Sequence, residues 1–312
     1  MSFDLIIQEK NVVKSILLID LDSANSIEIQ AKGALMNSWK VKSIDSFIEL
    51  IYGNTEPNNF EMNGFRSGKM SPFSCRIDEG TYHWNNQSFR FNKFYLGAHA
   101  MHGLLYDADF SIRATEINTD NVFVELGYFY QGTDSGFPFP YEIIIRWTLH
   151  KNHLITVRTQ IKNQSDEIIP IMDGWHPYFT LGGKIDDYEI KFDATGKIEM
   201  NEEMIPTGKM KVENLFEDGK KLSTRHFDDC FLLNPFNNKI TISHQNKSIK
   251  IEPIHNYPFL QIYTPEDRQS IAIENLSGAP NCFNNKMGLQ KIGPHDEIYF
   301  ETNYQFNFTQ SQ

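Results

Sequence analysis

The chain has 312 residues, a formal net charge of −11 at pH 7 and an aromatic content of 13%. The acidic balance argues against nucleic acid or an anionic membrane surface as a partner, because phosphate binding depends on clustered Lys and Arg. The length allows two ordinary domains or one large β domain, and the aromatic enrichment favours strands over helices.

Redox and targeting signals are sparse. The three cysteines, Cys75, Cys230 and Cys282, form neither an even disulfide set nor a CxxC metal motif, so reduced thiols are the simplest interpretation. The N-terminal stretch lacks a basic segment followed by an apolar core, and no apolar run is long enough to cross a bilayer. If Met1 is the native start, we predict a cytoplasmic protein.

Alternation of apolar and polar residues dominates the chain from end to end. Residues 44–51 have apolar side chains at helical spacing, but this short segment could equally form a strand. Residues 141–149 and 154–161 predict a hairpin with its turn at Lys151-Asn152. The second strand of that hairpin has one apolar face, made by Ile155, Val157, Thr159 and Ile161.

The same alternation continues to the C-terminus. Residues 188–192 and 249–251 alternate, and the most regular segment is 300–308. Its predicted buried face consists of Phe300, Thr302, Tyr304, Phe306 and Phe308. No repeat or linker separates two halves. The sequence therefore predicts an all-β fold with few short helices, a single large and mostly antiparallel domain over residues 1–312.

Five polar clusters lie near predicted strand ends or turns, at residues 74–77, 97–103, 174–179, 227–231 and 271–275. His176 precedes a proline, which keeps it in extended geometry, and aromatic residues flank it. Aromatic walls with a few polar groups are a common way to bind a sugar. Glu274 shares a strand face with Ala272, so it is either a solvated edge carboxylate or a deliberately placed base.

The sequence resembles the aldose 1-epimerases, or galactose mutarotase-like proteins, over roughly residues 25–308. The most specific match is Gly-Trp-His-Pro-Tyr-Phe at 174–179, which is similar to the second histidine motif of the family. The other matches follow in the family order. Residues 65–68 and 72–77 resemble the motif that carries a sugar-binding arginine, 101–104 a first histidine motif, and 137–141 with 147–149 a central hairpin. Residues 227–231 resemble the segment with a substrate-binding aspartate, 263–265 with 272–274 the segment with the general base, and 292–297 a closing turn.

The resemblance implies a large antiparallel β-sandwich, called a supersandwich, and an enzyme that interconverts the α and β anomers of a free aldose such as glucose or galactose. It implies Glu274 as the base and His176 as the acid. His102, Arg76 and Asp228 would hold the sugar hydroxyls and the ring oxygen.

The implied chemistry suits these residue types. One group removes the proton of the C1 hydroxyl, another protonates the ring oxygen, and the two exchange roles when the ring closes. A carboxylate and an imidazole can be tuned towards neutrality for this work. No metal, nucleotide or covalent intermediate is required. We therefore expect no cofactor, a small-molecule sugar as the partner, and a monomer or a homodimer.

Three alternatives remain open at the level of sequence. Asp228 fits the family motif better than Asp229, and only one of two neighbours on a strand can reach the cleft. The subfamily that acts on hexose 6-phosphates has an arginine shortly after its first His-Gly, whereas in this chain His102-Gly103 is followed by Leu104-Leu105-Tyr106. A free sugar is therefore favoured over a hexose 6-phosphate. A sugar-binding or sensing protein without catalysis is the remaining alternative.

Overall fold

The computed structural model describes residues 2–10, 13–55 and 59–308 of the chain. The strands are, in chain order, β1 (Phe3–Lys10), β2 (Val13–Asp20), β3 (Asn25–Gln30), β4 (Leu35–Lys42), β5 (Phe47–Glu49), β6 (Lys69–Met70), β7 (Arg76–Ile77), β8 (Thr81–Trp84), β9 (Gln87–Arg90), β10 (Tyr95–Leu96), β11 (His99–Met101), β12 (Ser111–Ile117), β13 (Asn121–Tyr130), β14 (Tyr141–His150) and β15 (Leu154–Asn163). They continue with β16 (Ile169–Ile171), β17 (Gly174–Trp175), β18 (Tyr178–Phe179), β19 (Glu189–Lys191), β20 (Ala194–Met200), β21 (Pro206–Lys211), β22 (Lys220–Lys221), β23 (Asp228–Leu233), β24 (Ile240–His244), β25 (Lys247–His255), β26 (Phe259–Tyr263), β27 (Ile271–Leu276), β28 (Gln290–Ile292) and β29 (Glu297–Phe308).

Helical structure is limited, within the described ranges, to two 3₁₀ turns, Asp78–Gly80 and Ile185–Asp187, and one short α-helix, α1 (Cys282–Asn285). No helix in this part of the chain has the length and apolar character needed to cross a membrane. The prediction of an all-β fold with few short helices is confirmed.

Three large sheets make up the architecture. Their strand orders are β1-β2-β3-β4-β5, then β12-β13-β14-β15-β29-β25-β24-β19-β22, and finally β21-β20-β23-β26-β27-β17-β6, with β18 also paired to β27. Smaller pairings join β10-β11-β7, β16-β28 and β8-β9. Many strands that are consecutive in the chain, such as β14–β15 and β26–β27, pair antiparallel with each other.

Buried aromatic side chains join the eight-stranded sheet that ends in β6 to the nine-stranded sheet that contains β14 and β29. Trp147 of β14 packs edge-on against Trp175 of β17, with ring centroids 5.2 Å apart. Phe179 of β18 contacts Tyr304 of β29 at 5.6 Å. Burial of each such ring stabilises the fold by about 1.5–3 kcal/mol. The short strands β17 and β18, which flank His176, are thereby fixed against the larger sheet.

The predicted hairpin is confirmed, since β14 and β15 pair from Tyr141↔Asn163 to His150↔Leu154. Its predicted inner face is also confirmed, because Ile155, Val157, Thr159 and Ile161 are all buried. The ambiguous segment 44–51 contains strand β5, and Ile44 is 94% exposed, so a helical face is excluded there.

The C-terminal strand is confirmed with one correction. Phe300, Thr302, Tyr304 and Phe306 are buried as predicted, but Phe308 is 42% exposed. Phe308 is the last residue of β29 and pairs with Lys247 beside the β24–β25 turn. Its ring only rests edge-on against Phe306. The alternation is therefore regular to the end of the strand, but the burial ends before it.

Candidate active site

One face of the eight-stranded sheet forms the floor of a cleft. Asp228 of β23 pairs with Tyr263 of β26, and Gln261 of the same strand pairs with Glu274 of β27. Cross-strand partners, and residues two apart on a strand, share a face. Asp228, Gln261, Tyr263 and Glu274 therefore point to the same side, and all four line the cavity. Glu274 lies inside β27, not at a strand end as the sequence suggested.

Backbone hydrogen bonds and an aromatic ring hold His176 at the end of β17. Its N–H donates to the carbonyl of Gly68 at 3.1 Å, and its own carbonyl accepts from the N–H of Ser67 at 2.8 Å. The ring of Tyr178 stacks on the imidazole at 4.9 Å with an interplanar angle of 9°. The Tyr178 hydroxyl donates to the carbonyl of Gly64 at 3.0 Å. The imidazole thus has a fixed orientation in an aromatic wall.

His102 reaches the same cavity from a left-handed backbone position, with φ of 57°. Its N–H donates to the carbonyl of Cys75 at 3.0 Å. The imidazole packs edge-on against Phe65 at 4.7 Å and against the ring of His176 at 5.1 Å. The two histidines are therefore neighbours in space, although they are far apart in the sequence.

Arg76 and Asp228 face each other across the cavity, with Nη1 and Oδ2 3.9 Å apart. Gln261 donates from Nε2 to the other carboxylate oxygen of Asp228 at 2.7 Å. The neighbouring Asp229 instead forms an ion pair with Lys197 at 2.7 Å. Of the two aspartates, Asp228 is the one that lines the cavity.

The structure brings all five sequence-predicted site residues together. Glu274, His176, His102, Arg76 and Asp228 line one cavity of about 390 Å³, a size that suits a small ligand. Apolar side chains complete much of its wall, among them Phe65, Phe94, Leu96, Met101, Met200, Met204 and Pro280.

The imidazole of His176 and the carboxyl group of Glu274 also meet in this cavity, with Nε2 and Oε1 3.4 Å apart. Burial lowers the pKa of His176 to about 3. Burial, reinforced by the charge of Asp228, raises the pKa of Glu274 well above its usual value of 4.5. Burial also lowers the pKa of His102, with further lowering by His176 and Arg76.

These pKa shifts indicate which of the two groups holds the proton that the pair shares. A protonated Glu274 beside a neutral His176 holds as many protons as a carboxylate beside an imidazolium. Burial favours the first arrangement, because it contains no charge. The pair can therefore pass from one form to the other by moving a single proton, which is the property that acid–base exchange requires.

Sequence reasoning missed several residues that line the cavity. Gln261 lies two residues before Tyr263, so the period of a strand could have placed it on the same face. Glu61, in the loop between β5 and β6, gave no such signal. It accepts a hydrogen bond from the Tyr106 hydroxyl at 2.7 Å. Cys75 also lines the cavity, next to Arg76. In the described part of the chain, no group of three or more His, Cys, Asp or Glu side chains could hold a metal ion.

Comparison with known proteins gives a consistent family. The family described as aldose 1-epimerase matches residues 16–305. A protein of Escherichia coli strain K12 described as "Uncharacterized protein YihR" is 27% identical over 229 residues, which cover 70% of this chain and 71% of that protein.

Two solved structures have a similar fold at low sequence identity. A galactose mutarotase-like protein from Clostridium acetobutylicum has a TM-score of 0.86 and 17% identity, over 98% of this chain and 99% of that one. Galactose 1-epimerase from Lactobacillus acidophilus NCFM has a TM-score of 0.84 and 17% identity, over 99% of each chain. Because the family match covers most of its length, the chain belongs to the aldose 1-epimerase family.

Proposed function

We propose that this protein is an aldose 1-epimerase that interconverts the α and β anomers of a free aldose. The observation that carries the proposal is the buried pair of His176 and Glu274, 3.4 Å apart in a cavity of sugar size. Arg76, His102 and Asp228 supply donors and acceptors for sugar hydroxyls around that pair. A protein that only bound sugars would have no need of a carboxylate and an imidazole that share one proton.

The reaction needs only the movement of protons. Glu274, as carboxylate, takes the proton of the C1 hydroxyl while imidazolium His176 protonates the ring oxygen, and the bond from C1 to that oxygen breaks. Rotation about C1–C2 presents the other face of the aldehyde. His176 then takes the proton back from the hydroxyl, Glu274 returns one to the oxygen on C1, and the ring closes as the other anomer. The pair holds one proton before and after the cycle.

The charges of the cavity favour a sugar without phosphate. Among the described residues that line it, the carboxyl groups of Glu61, Asp228 and Glu274 accompany one guanidinium, that of Arg76, which faces Asp228. A phosphate group would bring about 1.5 to 2 further negative charges into this surrounding. Repulsion and the lack of a second cation on this wall therefore oppose hexose 6-phosphates as substrates.

The proposal is tested by anomer exchange, followed with NMR saturation transfer between the two anomeric protons. The panel contains free aldoses and their 6-phosphates, each with protein, without protein and with the Glu274→Gln variant. We expect faster exchange for at least one free aldose, loss of that acceleration in the variant, and weaker or no acceleration for the 6-phosphates. Sugar binding without acceleration of any anomer exchange would favour the sensor alternative and overturn the proposal.

We expect kcat to stay constant as the pH falls through 6.5, the usual pKa of a histidine. The pKa of His176 is lowered to about 3, so the pair gains its second proton only in strong acid. On the alkaline side, kcat falls when the pair loses its one proton, above the usual pKa of glutamate. The measurement is kcat against pH after subtraction of the uncatalysed exchange. A fall of kcat as the pH is lowered through 6.5 would contradict a pair whose histidine gains its proton only in strong acid.

A further inference from the structure

Lys69 is a completely buried cation that the proposed chemistry does not use. Its side chain has 0% exposure, and its Nζ lies 2.6 Å from Asp173 Oδ2. The ammonium also donates to the carbonyl of Gly174 and to Thr159 Oγ1, each at 3.3 Å. It lies 4.3 Å from the ring centroid of Trp175, in cation–π geometry. Neither Lys69 nor Asp173 is among the described residues that line the cavity.

The ammonium group of Lys69 contacts the residues that lead up to His176, the candidate acid. Asp173, Gly174 and Trp175 are the three residues directly before His176, and each contacts Nζ through a different group. Strands β6 and β17 have only two residues each, so few ladder hydrogen bonds hold this part of the sheet together. The side chain of Lys69 therefore adds, from β6, the contacts that two short strands lack.

The same ion pair connects β17 to the opposite sheet. Thr159 belongs to β15 of the nine-stranded sheet. The hydroxyl of Tyr257, which follows β25, donates to Asp173 Oδ2 at 2.6 Å. Lys69 and Asp173 are thus bonded to side chains on both layers of the sandwich. These bonds fix the position of β17, and of His176 at its end, relative to the nine-stranded sheet.

Stability alone does not account for an ion pair at this depth. Two buried charges give up their hydration, and well-packed apolar residues of similar volume are often equally stable or more stable. Burial lowers the pKa of Lys69 to about 8 and raises the pKa of Asp173. Burial therefore opposes the ionisation that the attraction between the two groups favours, whereas their directed contacts define the position of three consecutive backbone units.

We propose that Lys69 is a positioning residue. Through its ion pair with Asp173, it holds the His176 imidazole in place beside the carboxyl group of Glu274. The inference rests on the proposed function of His176. It predicts that loss of the ion pair reduces turnover much more than it weakens sugar binding, because the hydroxyl-binding groups stand on other strands.

The decisive variant removes both charges together. In Lys69→Met with Asp173→Asn, no uncompensated buried charge remains, and the asparagine still accepts from Tyr257. We expect an unfolding midpoint near that of the unaltered protein, a kcat lower by about 10- to 100-fold and a KM close to the original value. Tyr257→Phe, which removes one hydroxyl, should lower kcat in the same direction but less. It supplies the test if the double variant does not fold.

A second readout does not depend on turnover. The ring ¹⁵N–¹H signals of His176 are assigned by comparison with His176→Asn. Displaced signals in the double variant, or in Tyr257→Phe, support the positioning role even if no sugar proves to be a substrate. Unchanged signals with unchanged kcat in folded variants overturn it. A parallel fall of kcat and rise of KM overturns it too, since that result describes a general loosening of the site.

Discussion

Glu274→Gln is expected to lower kcat for anomer exchange by about 10²- to 10⁴-fold, because an amide can neither accept nor return the proton of the C1 hydroxyl. The fold should remain intact. The side chain is only 2% exposed and its pKa is raised by burial, so the site already favours an uncharged group of this shape. The measurement is kcat by NMR exchange, with the unfolding midpoint in urea as the check on folding.

His176→Asn should lower kcat by a similar factor, about 10²- to 10⁴-fold, because the ring oxygen then lacks its proton donor. The double variant with Glu274→Gln should be little worse than the poorer single variant, since the two groups act as one unit.

Asp229→Asn is the matched control. It makes the same carboxylate-to-amide change beside the site, on a residue paired with Lys197, and should retain the original rate. Undiminished rates in both site variants would exclude the proposed mechanism.

The long strands of this fold were predictable from the sequence, and the two-residue strands were not. The β14–β15 hairpin and β29 run for ten or more residues, so their alternation repeats several times. Strands β6 and β17 contain two residues each and have no period to detect. Strand β17 pairs with the longer β27, and β6 pairs in turn with β17, so both depend on contacts far along the chain. This is why local pattern identified the sheets but not the part of the sheet that carries His176.

The site divides in the same way. Five of its residues stand in motifs that resemble a known family. Glu61 enters from an irregular loop, where no spacing relates it to the rest of the cavity. Lys69 is the clearest miss, since a lysine in a sequence usually lies at the surface. Its burial depends on Asp173, which lies 104 residues further along the chain, and that pairing exists only once the sheets have formed.

Gly103→Ala is expected to have a large effect on stability. Gly103 has φ of +76°, and a Cβ there would lie 2.4 Å from the carbonyl oxygen of Ser71 and 2.8 Å from that of Phe73. Both obstacles are backbone, and the Ser71 carbonyl already accepts from the N–H of Leu104 at 2.7 Å. The backbone at Ser71 cannot move away from an added Cβ without loss of that hydrogen bond. We expect the free energy of unfolding to fall by about 2–4 kcal/mol.

Gly97→Ala separates the clash from the cost of the backbone conformation. Gly97 has a similar φ of +63°, but an added Cβ would meet nothing within 4 Å. Its expected cost is therefore only about 1 kcal/mol, from the left-handed backbone alone. Urea titrations of both variants give the comparison. Equal losses of unfolding free energy in the two variants would show that the backbone around Gly103 moves to accommodate the Cβ. A larger cost at Gly103, with a raised KM, would mean that the tight packing behind this glycine also holds the neighbouring His102 in place to bind the sugar.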